Sequence, residues 1–366
     1  MVDLNSLHKR FRAELDLAIS ECIDNSVFIG GDPIYKLEES VSKFLGVNHV
    51  ISCGNGTDAL QIALMSLNLK QGDEVILPSF AYAAVAEVVC LLGLIPVFVD
   101  VRSKDFNIDE DCIINAITER TKVIIPVHLF GQPCKMDTIM ELSEEYDLTV
   151  IEDNAQSFGA SYLNNTKAGT VGHIGCTSFF PTKNLGCFGD GGAIFTNNSD
   201  LAKSIRMICH HGQSKKYFHD IIGVNSRLDS IQASILDVKL NHIKELFSKK
   251  NKIGEYYNKR LANIEGLQIP IKSDFTSHCY HQYTLKVKDN KRDQLQIFLG
   301  ANNIESKIYY PLPLHLQNAY KKFHSGQRLH VSEQLSKEVL SIPIHSELTE
   351  VHLEYICSRI GEFFNR

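Results

Sequence analysis

No stretch of the chain reaches the roughly 18 uninterrupted apolar residues that a membrane-spanning helix needs, which excludes a helical membrane protein. The N-terminal segment MVDLNSLHKRFRAELDLAIS places charges at every turn and lacks the apolar core of a secretory signal, so a cytoplasmic protein is expected. Ten cysteines are present, but their spacing is irregular and none forms Cys-x-x-Cys. Free thiols in a reducing compartment are therefore expected, rather than a disulfide framework or a structural zinc. Clustered positive charge is missing too. Lysines and arginines are scattered and the formal charge is −6, which removes the electrostatic basis for a nucleic-acid or anionic-membrane partner. The fifteen histidines contain no His-Glu-x-x-His, and adjacent His210 and His211 diverge on a helix, so no metal centre is expected. A P-loop, a Gly-x-Gly-x-x-Gly fingerprint, an internal repeat and a low-complexity tract are all absent.

What remains is an ordinary globular composition, 44% hydrophobic and 22% charged, in 366 residues, enough chain for two domains. From about residue 48, short β-branched runs alternate with amphipathic stretches. HVIS (49–52), EVIL (74–77), IPVFVD (95–100), KVIIPV (122–127) and LTVIED (148–153) read as strands, with helices near 56–67, 81–92, 108–117 and 135–146. Apolar runs without polar alternation belong to strands covered on both faces, as in a mainly parallel sheet. The class is α/β: a large domain with a mainly parallel, mixed sheet flanked by helices over residues 1–240, and a smaller C-terminal α+β domain over 241–366. After Ser178 come a glycine-rich stretch, a strand at AIFTN (193–197) and helical sequence. Residues 226–263 are long, charged and periodic; beyond them HQYTLKV (281–287) reads as a strand and RDQLQIFLGANN (292–303) as a helix. The sequence leaves open which domain the first 30 residues pack on.

Three segments carry chemistry. In TSFFPTKNLGCFGDGGAIFTN, Lys183 follows an apolar run, and Gly186, Gly189, Gly191 and Gly192 allow the backbone to approach another group closely. A partly desolvated lysine is a usable amine nucleophile toward an aldehyde; a glycine-rich turn with a solvated lysine is the bland alternative. In VIEDNAQSFGA an apolar strand ends in acid, which places Asp153 beyond the carboxyl end of a strand, where open α/β sheets bind ligands. An aspartate there suits a pyridine nitrogen that must stay protonated, or else simply caps the next segment. In SCGNGTDALQIAL, Gly56 and Thr57 fall at a helix N-terminus, whose free N–H groups bind phosphate; any helix cap has the same look.

NGTDALQIAL, PSFAYAAVAE, IEDNAQSFGA, TSFFPTKNLGCFGDGGA and GVNSRLDSIQA occur together, in order, over nearly the whole chain. In this combination the chain resembles the DegT/DnrJ/EryC1/StrS sugar aminotransferases, which have the aspartate-aminotransferase fold, pyridoxal-phosphate-dependent transferase fold type I. The resemblance is closest to the branch that aminates C3 of nucleotide-linked 3-keto-sugars, including the 2-acetamido hexuronate enzymes of surface polysaccharide and lipopolysaccharide pathways. It implies pyridoxal 5′-phosphate as cofactor, held as a Schiff base by Lys183, with Asp153 at the pyridine nitrogen. Gln156 is implied beside the ring hydroxyl, Tyr82 on the ring face, and Gly56, Thr57 and Ser178 at the phosphate. Asn225 is expected to reach the phosphate of a neighbouring subunit, which implies a homodimer. L-glutamate is the implied amino donor, with ping-pong kinetics.

Relatives that dehydrate a sugar instead carry histidine at the position of Lys183, and the lysine argues against that activity. Arg227, Tyr309 and Tyr310 are the implied sugar-binding residues. Two departures stand out: Asn154 replaces a common alanine, and Tyr309 in KIYYPLPLH replaces a histidine that pairs with an arginine like Arg227 at a substrate carboxylate. A neutral sugar is therefore open beside a hexuronate, as are UDP or dTDP, a 4-keto substrate, and a regulatory protein without turnover.

Overall fold

The computed structural model describes residues 1–324 and 326–365. Seven strands form one sheet: β1 (His49–Cys53), β2 (Glu74–Pro78), β3 (Ile95–Val99), β4 (Thr121–Ile124), β5 (Thr149–Asp153), β6 (Ile174–Ser178) and β7 (Gly192–Thr196). Their order is β1-β7-β6-β5-β4-β2-β3. Neighbours from β3 to β6 pair in parallel, and β7 is antiparallel to both β6 and β1. Alternate residues enter different cores. Val75, Leu77, Ile151 and Ile194 pack in one cluster, with Leu60 and Val85 of helices Gly56–Met65 and Ala84–Leu91. Ile76 and Val150 pack on the other side against Ile139 of helix Met136–Tyr146, while Ala193 and Phe195 meet Leu37 of helix Asp32–Leu45 and Leu236 of helix Ser230–Asn241. Both faces are thus covered, which is why the strands lack polar alternation.

The expected strands and helices are present, most ends shifting by a few residues. β6 has little local strand signal, because IGCTS is short and has few β-branched residues. Tertiary packing explains the composition: Gly175 lies so close to the Gly169 carbonyl that no Cβ fits between them. A two-stranded ribbon, β8 (Gln213–Lys215) and β9 (Phe218–His219), was likewise not anticipated.

A second sheet joins β10 (Leu267–Gln268), β11 (Tyr283–Val287) and β12 (Val339–Ile342), all antiparallel, around Tyr257, Leu285, Leu295 and Ile356. The strand expected from residue 281 begins at Tyr283 instead. Gln282 donates its N–H to the Phe130 carbonyl at 3.2 Å, so His281 and Gln282 belong to a loop that pairs with the other part of the molecule. Leu314, Tyr320, Leu329 and Leu335 return to the core of the seven-stranded sheet. Near the N-terminus, Phe11 and Leu15 pack on Ile235 and Leu246, and Arg10 pairs with Glu347 at 2.8 Å. Among the described residues, no helix is long and apolar enough to cross a membrane.

Candidate active site

The antiparallel insertion of β7 creates the site. Gly192 at its amino end stands opposite both Cys53 and Ser178, so the carboxyl ends of β1, β5 and β6 converge where β7 begins. A cavity of about 670 Å³ opens there, with Gly56, Thr57, Tyr82, Asp153, Gln156, Ser178, Lys183, Tyr309 and Tyr310 in its wall. Nine of the sequence-predicted site residues therefore meet in one place.

Asn55 starts the helix below the cavity by accepting the Asp58 N–H on its side chain at 2.8 Å. The N–H groups of Gly56 and Thr57 have no carbonyl a turn earlier to bind, and they open toward the cavity wall. A Cβ at Gly56 would lie 2.6 Å from Cβ of Ser178, and one at Gly192 would strike the Asn55 carbonyl. Glycine is what lets the helix end, β6 and β7 close into an anion cradle.

Asp153 ends β5, and among the described residues its carboxylate accepts only the Ala155 N–H, at 3.0 Å. Burial pushes its carboxyl above the usual range, against the pull of that N–H and of Lys183. Lys183 follows β6 in a turn closed by its N–H on the Phe180 carbonyl at 2.8 Å. Burial pushes its ammonium down, and Asp153 opposes the shift. Gln156 is pinned at both ends of its amide: Oε1 accepts the Phe130 N–H at 2.8 Å, and Nε2 donates to the Tyr310 hydroxyl at 3.0 Å. One amide N–H is left over. Tyr82 is 59% exposed with its ring 6.3 Å from that of Tyr310, so one face is free for a flat ligand.

Asn225 and Arg227 lie elsewhere. Ser226 between them turns inward, donating to Asp58 Oδ2 at 2.6 Å and accepting the Gly54 N–H at 2.9 Å. That contact turns both neighbours out to solvent, away from this chain's own cavity.

Two other contributors have no local sequence signal: His281 and Gln282 complete the cavity wall from the segment before β11. On β5, Glu152 faces away from Asp153, as alternation requires, and is fully buried. Its carboxylate accepts four hydrogen bonds, from Gly169, Val171 and Gly172 N–H groups at 2.9, 2.7 and 2.6 Å and from His128 Nε2 at 2.6 Å. His128 Nδ1 accepts the Cys134 N–H at 3.0 Å, which leaves Nε2 as the nitrogen that donates to Glu152. The acidic pair ED held the signal for both roles, because the period of two sends one carboxylate to the site and the other to its support. Asn154 spends its amide on the Ala168 carbonyl at 2.8 Å, a contact an alanine lacks.

Burial works to raise the Glu152 carboxyl, but His128 and the backbone N–H groups outweigh it and hold it low. A carboxyl depressed by folding adds stability above about pH 4.3 that is lost as pH falls through its folded value. Glu152→Gln would point an amide at N–H donors, and a loss of about 2–5 kcal/mol is expected. Denaturant unfolding at pH 7 measures it; the gap to wild type should narrow at pH 3.

The donor set fits pyridoxal phosphate. A buried carboxylate short of donors suits a protonated ring nitrogen, a desolvated amine suits an aldehyde, and the glycine cradle suits a phosphate. Fold and site together define a pyridoxal-phosphate-dependent aminotransferase of fold type I. The chain belongs to the DegT/DnrJ/EryC1/StrS aminotransferase family, whose sequence profile matches residues 9–361. It is 41% identical to a pleiotropic regulatory protein of Geobacillus stearothermophilus, over 100% of this chain and 98% of that one. It is also 41% identical to the UDP-2-acetamido-2-deoxy-3-oxo-D-glucuronate aminotransferase of Pseudomonas aeruginosa, over 98% of each chain. The UDP-N-acetyl-3-dehydro-α-D-glucosamine 3-aminotransferase of Acidithiobacillus ferrooxidans is 40% identical, over 98% of this chain and 96% of its own. A crystal structure of a family aminotransferase from Brucella abortus superposes with a TM-score of 0.96 at 39% identity, covering 100% of this chain and 99% of that one.

Proposed function

We propose that this chain transfers the amino group of L-glutamate to C3 of a UDP- or dTDP-linked 3-keto-hexose, for cell-surface polysaccharide or lipopolysaccharide biosynthesis in the cytoplasm. The observation that carries the transaminase assignment is the convergence of Lys183, Asp153 and the Gly56 cradle in one cavity. The relatives that act on 3-oxo UDP-sugars support C3 as the carbon aminated.

In this reading Lys183 would hold the cofactor through Nζ, Asp153 would face the pyridine nitrogen, and Gly56, Thr57 and Ser178 would take the phosphate. Tyr82 would cover the ring and the spare N–H of Gln156 would serve its hydroxyl. Bound pyridoxal phosphate supplies an electron sink for the pair left on a carbon that loses a proton. Lys183 Nζ moves the protons: it takes one from Cα of glutamate and later delivers one to C3 of the sugar. Its desolvation lowers the ammonium's pKa and so enlarges the fraction present as free amine, the form that acts as a base.

Asn225 and Arg227, exposed on one side of the segment that Ser226 anchors, complete the site of the other subunit of a homodimer. The division of the chain near residue 240 is supported by the separate core around β10 to β12. The return of Leu314, Tyr320, Leu329 and Leu335 to the larger core, just after Tyr309 and Tyr310, helps hold the sugar-side wall against the large sheet.

Asp58, Asp153 and Asp190 line the cavity, Lys183 is the one lysine or arginine this chain contributes to its lining, and Tyr309 stands where a carboxylate-binding histidine would; Arg227 of the other subunit would then meet a sugar carboxylate without that histidine, which favours a neutral 2-acetamido sugar over its hexuronate. The test is incubation with glutamate and a panel of enzymatically generated nucleotide keto-sugars, followed by mass spectrometry. Amination of the neutral 3-keto compound is expected. Turnover of 4-keto compounds alone would refute the C3 assignment, and preference for the hexuronate would refute the neutral one. One relative is named a pleiotropic regulatory protein; a regulatory role without turnover predicts that glutamate leaves the cofactor's visible absorption unchanged.

A further inference from the structure

Asn184, the residue after Lys183, is held from two sides. Its side-chain carbonyl accepts a hydrogen bond from Lys250 Nζ at 2.8 Å, and its amide donates to Cys279 Sγ at 2.9 Å. Lys250 comes from helix Ile243–Leu261, about 66 residues further along the chain. Cys279 is fastened in turn: its N–H donates to the Gly131 carbonyl at 2.9 Å, and its thiol reaches the Gln156 carbonyl at 3.7 Å. The helix itself sits tightly on this segment, for a Cβ at Gly254, one turn beyond Lys250, would lie 2.6 Å from the Tyr280 ring. A continuous chain of contacts therefore runs from Lys250 through the neighbour of Lys183 to the backbone of Gln156.

Lys250 has no carboxylate at ion-pair distance among the described residues, and burial pushes its ammonium down to about 8. The groups that face it are the Cys279 thiol, pushed up to about 11 by burial, and His278 and His281, both held neutral by burial with Lys250 adding to the effect. His281 also feels Lys183. A buried cation without a counter-ion is a poor device for stability, where an apolar side chain of similar size does better. Among the described residues, its side-chain hydrogen bond goes to Asn184, next to Lys183.

We propose that Lys250 is a positioning residue for Lys183, acting through Asn184. The hydrogen bond from Lys250 holds the turn at residues 183 and 184 against the cavity wall, which keeps Lys183 Nζ desolvated and aimed. The proposal rests on Lys183 being the lysine that bears the cofactor.

The test uses cofactor-free full-length protein, trace-acetylated with acetic anhydride across a pH series, with the modification of Lys183 read by peptide mass spectrometry. Lys250→Met frees Asn184, admits water to Lys183 and should raise its acetylation midpoint by about one pH unit, roughly tenfold lower reactivity at fixed pH. Lys250→Arg keeps a donor and should restore reactivity to within about twofold. Asn184→Ala should reproduce the shift with Lys250 intact, which covers the case that Lys250→Met fails to fold. An unchanged midpoint in either folded loss-of-contact variant, or an arginine variant as shifted as the methionine one, overturns the proposal. Borohydride reduction of the loaded wild-type protein is read separately: label absent from Lys183 would refute the cofactor assignment, whatever the acetylation series shows.

Discussion

Lys183→Arg is expected to abolish transamination while leaving the fold intact. The guanidinium keeps the charge and length of the side chain but stays protonated at every usable pH, so it neither adds to an aldehyde nor accepts a proton. Loss of the proton transfer alone costs about 10²–10⁴-fold in rate, and loss of covalent attachment adds to it. The half-reaction with glutamate, followed by the cofactor's visible band, measures the effect. Borohydride trapping with peptide mapping should find the wild-type label on Lys183 and no label in the variant. Label on another lysine would remove the basis of the assignment.

The second large effect is expected at Asp153. Asp153→Asn preserves shape and most hydrogen bonding but removes the negative charge that would hold a ring nitrogen protonated, and a fall of about 10²–10³-fold in kcat is expected. Stability should move the other way. Burial raises the folded-state pKa of Asp153, so its ionised form is disfavoured by folding and detracts from stability once pH exceeds the unfolded value. Cofactor-free Asp153→Asn should therefore unfold at the same temperature as wild type or higher, at pH 7. Adding pyridoxal phosphate should raise the wild-type midpoint more than that of the variant, because the ring supplies the cation that the carboxylate lacks. A variant that loses activity and stability together would mark Asp153 as structural.

Much of the large sheet was legible because each strand was an apolar, β-branched run with helical sequence after it. β6 was not: glycine, cysteine and serine meet the packing needs of a strand wedged between the Gly169 carbonyl and the ring of Phe195, and such needs have no local signature. His281 and Gln282 were read into β11, yet long-range hydrogen bonds to Phe130 and Gly131 hold this segment at the cavity instead. Asp153 was legible and Glu152 was passed over, although one rule of alternation assigns both.

Which residue types can do the chemistry was determined by the sequence alone, since an amine, an acid and a glycine-rich turn carry their reactivity and backbone freedom wherever the chain goes. Which of them meet was decided by the tertiary structure. The antiparallel entry of β7 brings residue 192 beside residues 53 and 178, Ser226 turns Asn225 and Arg227 outward, and helix Ile243–Leu261 delivers Lys250 to Asn184. These contacts join residues up to about 170 positions apart, and their cause is the order in which strands and helices pack, which no local periodicity encodes.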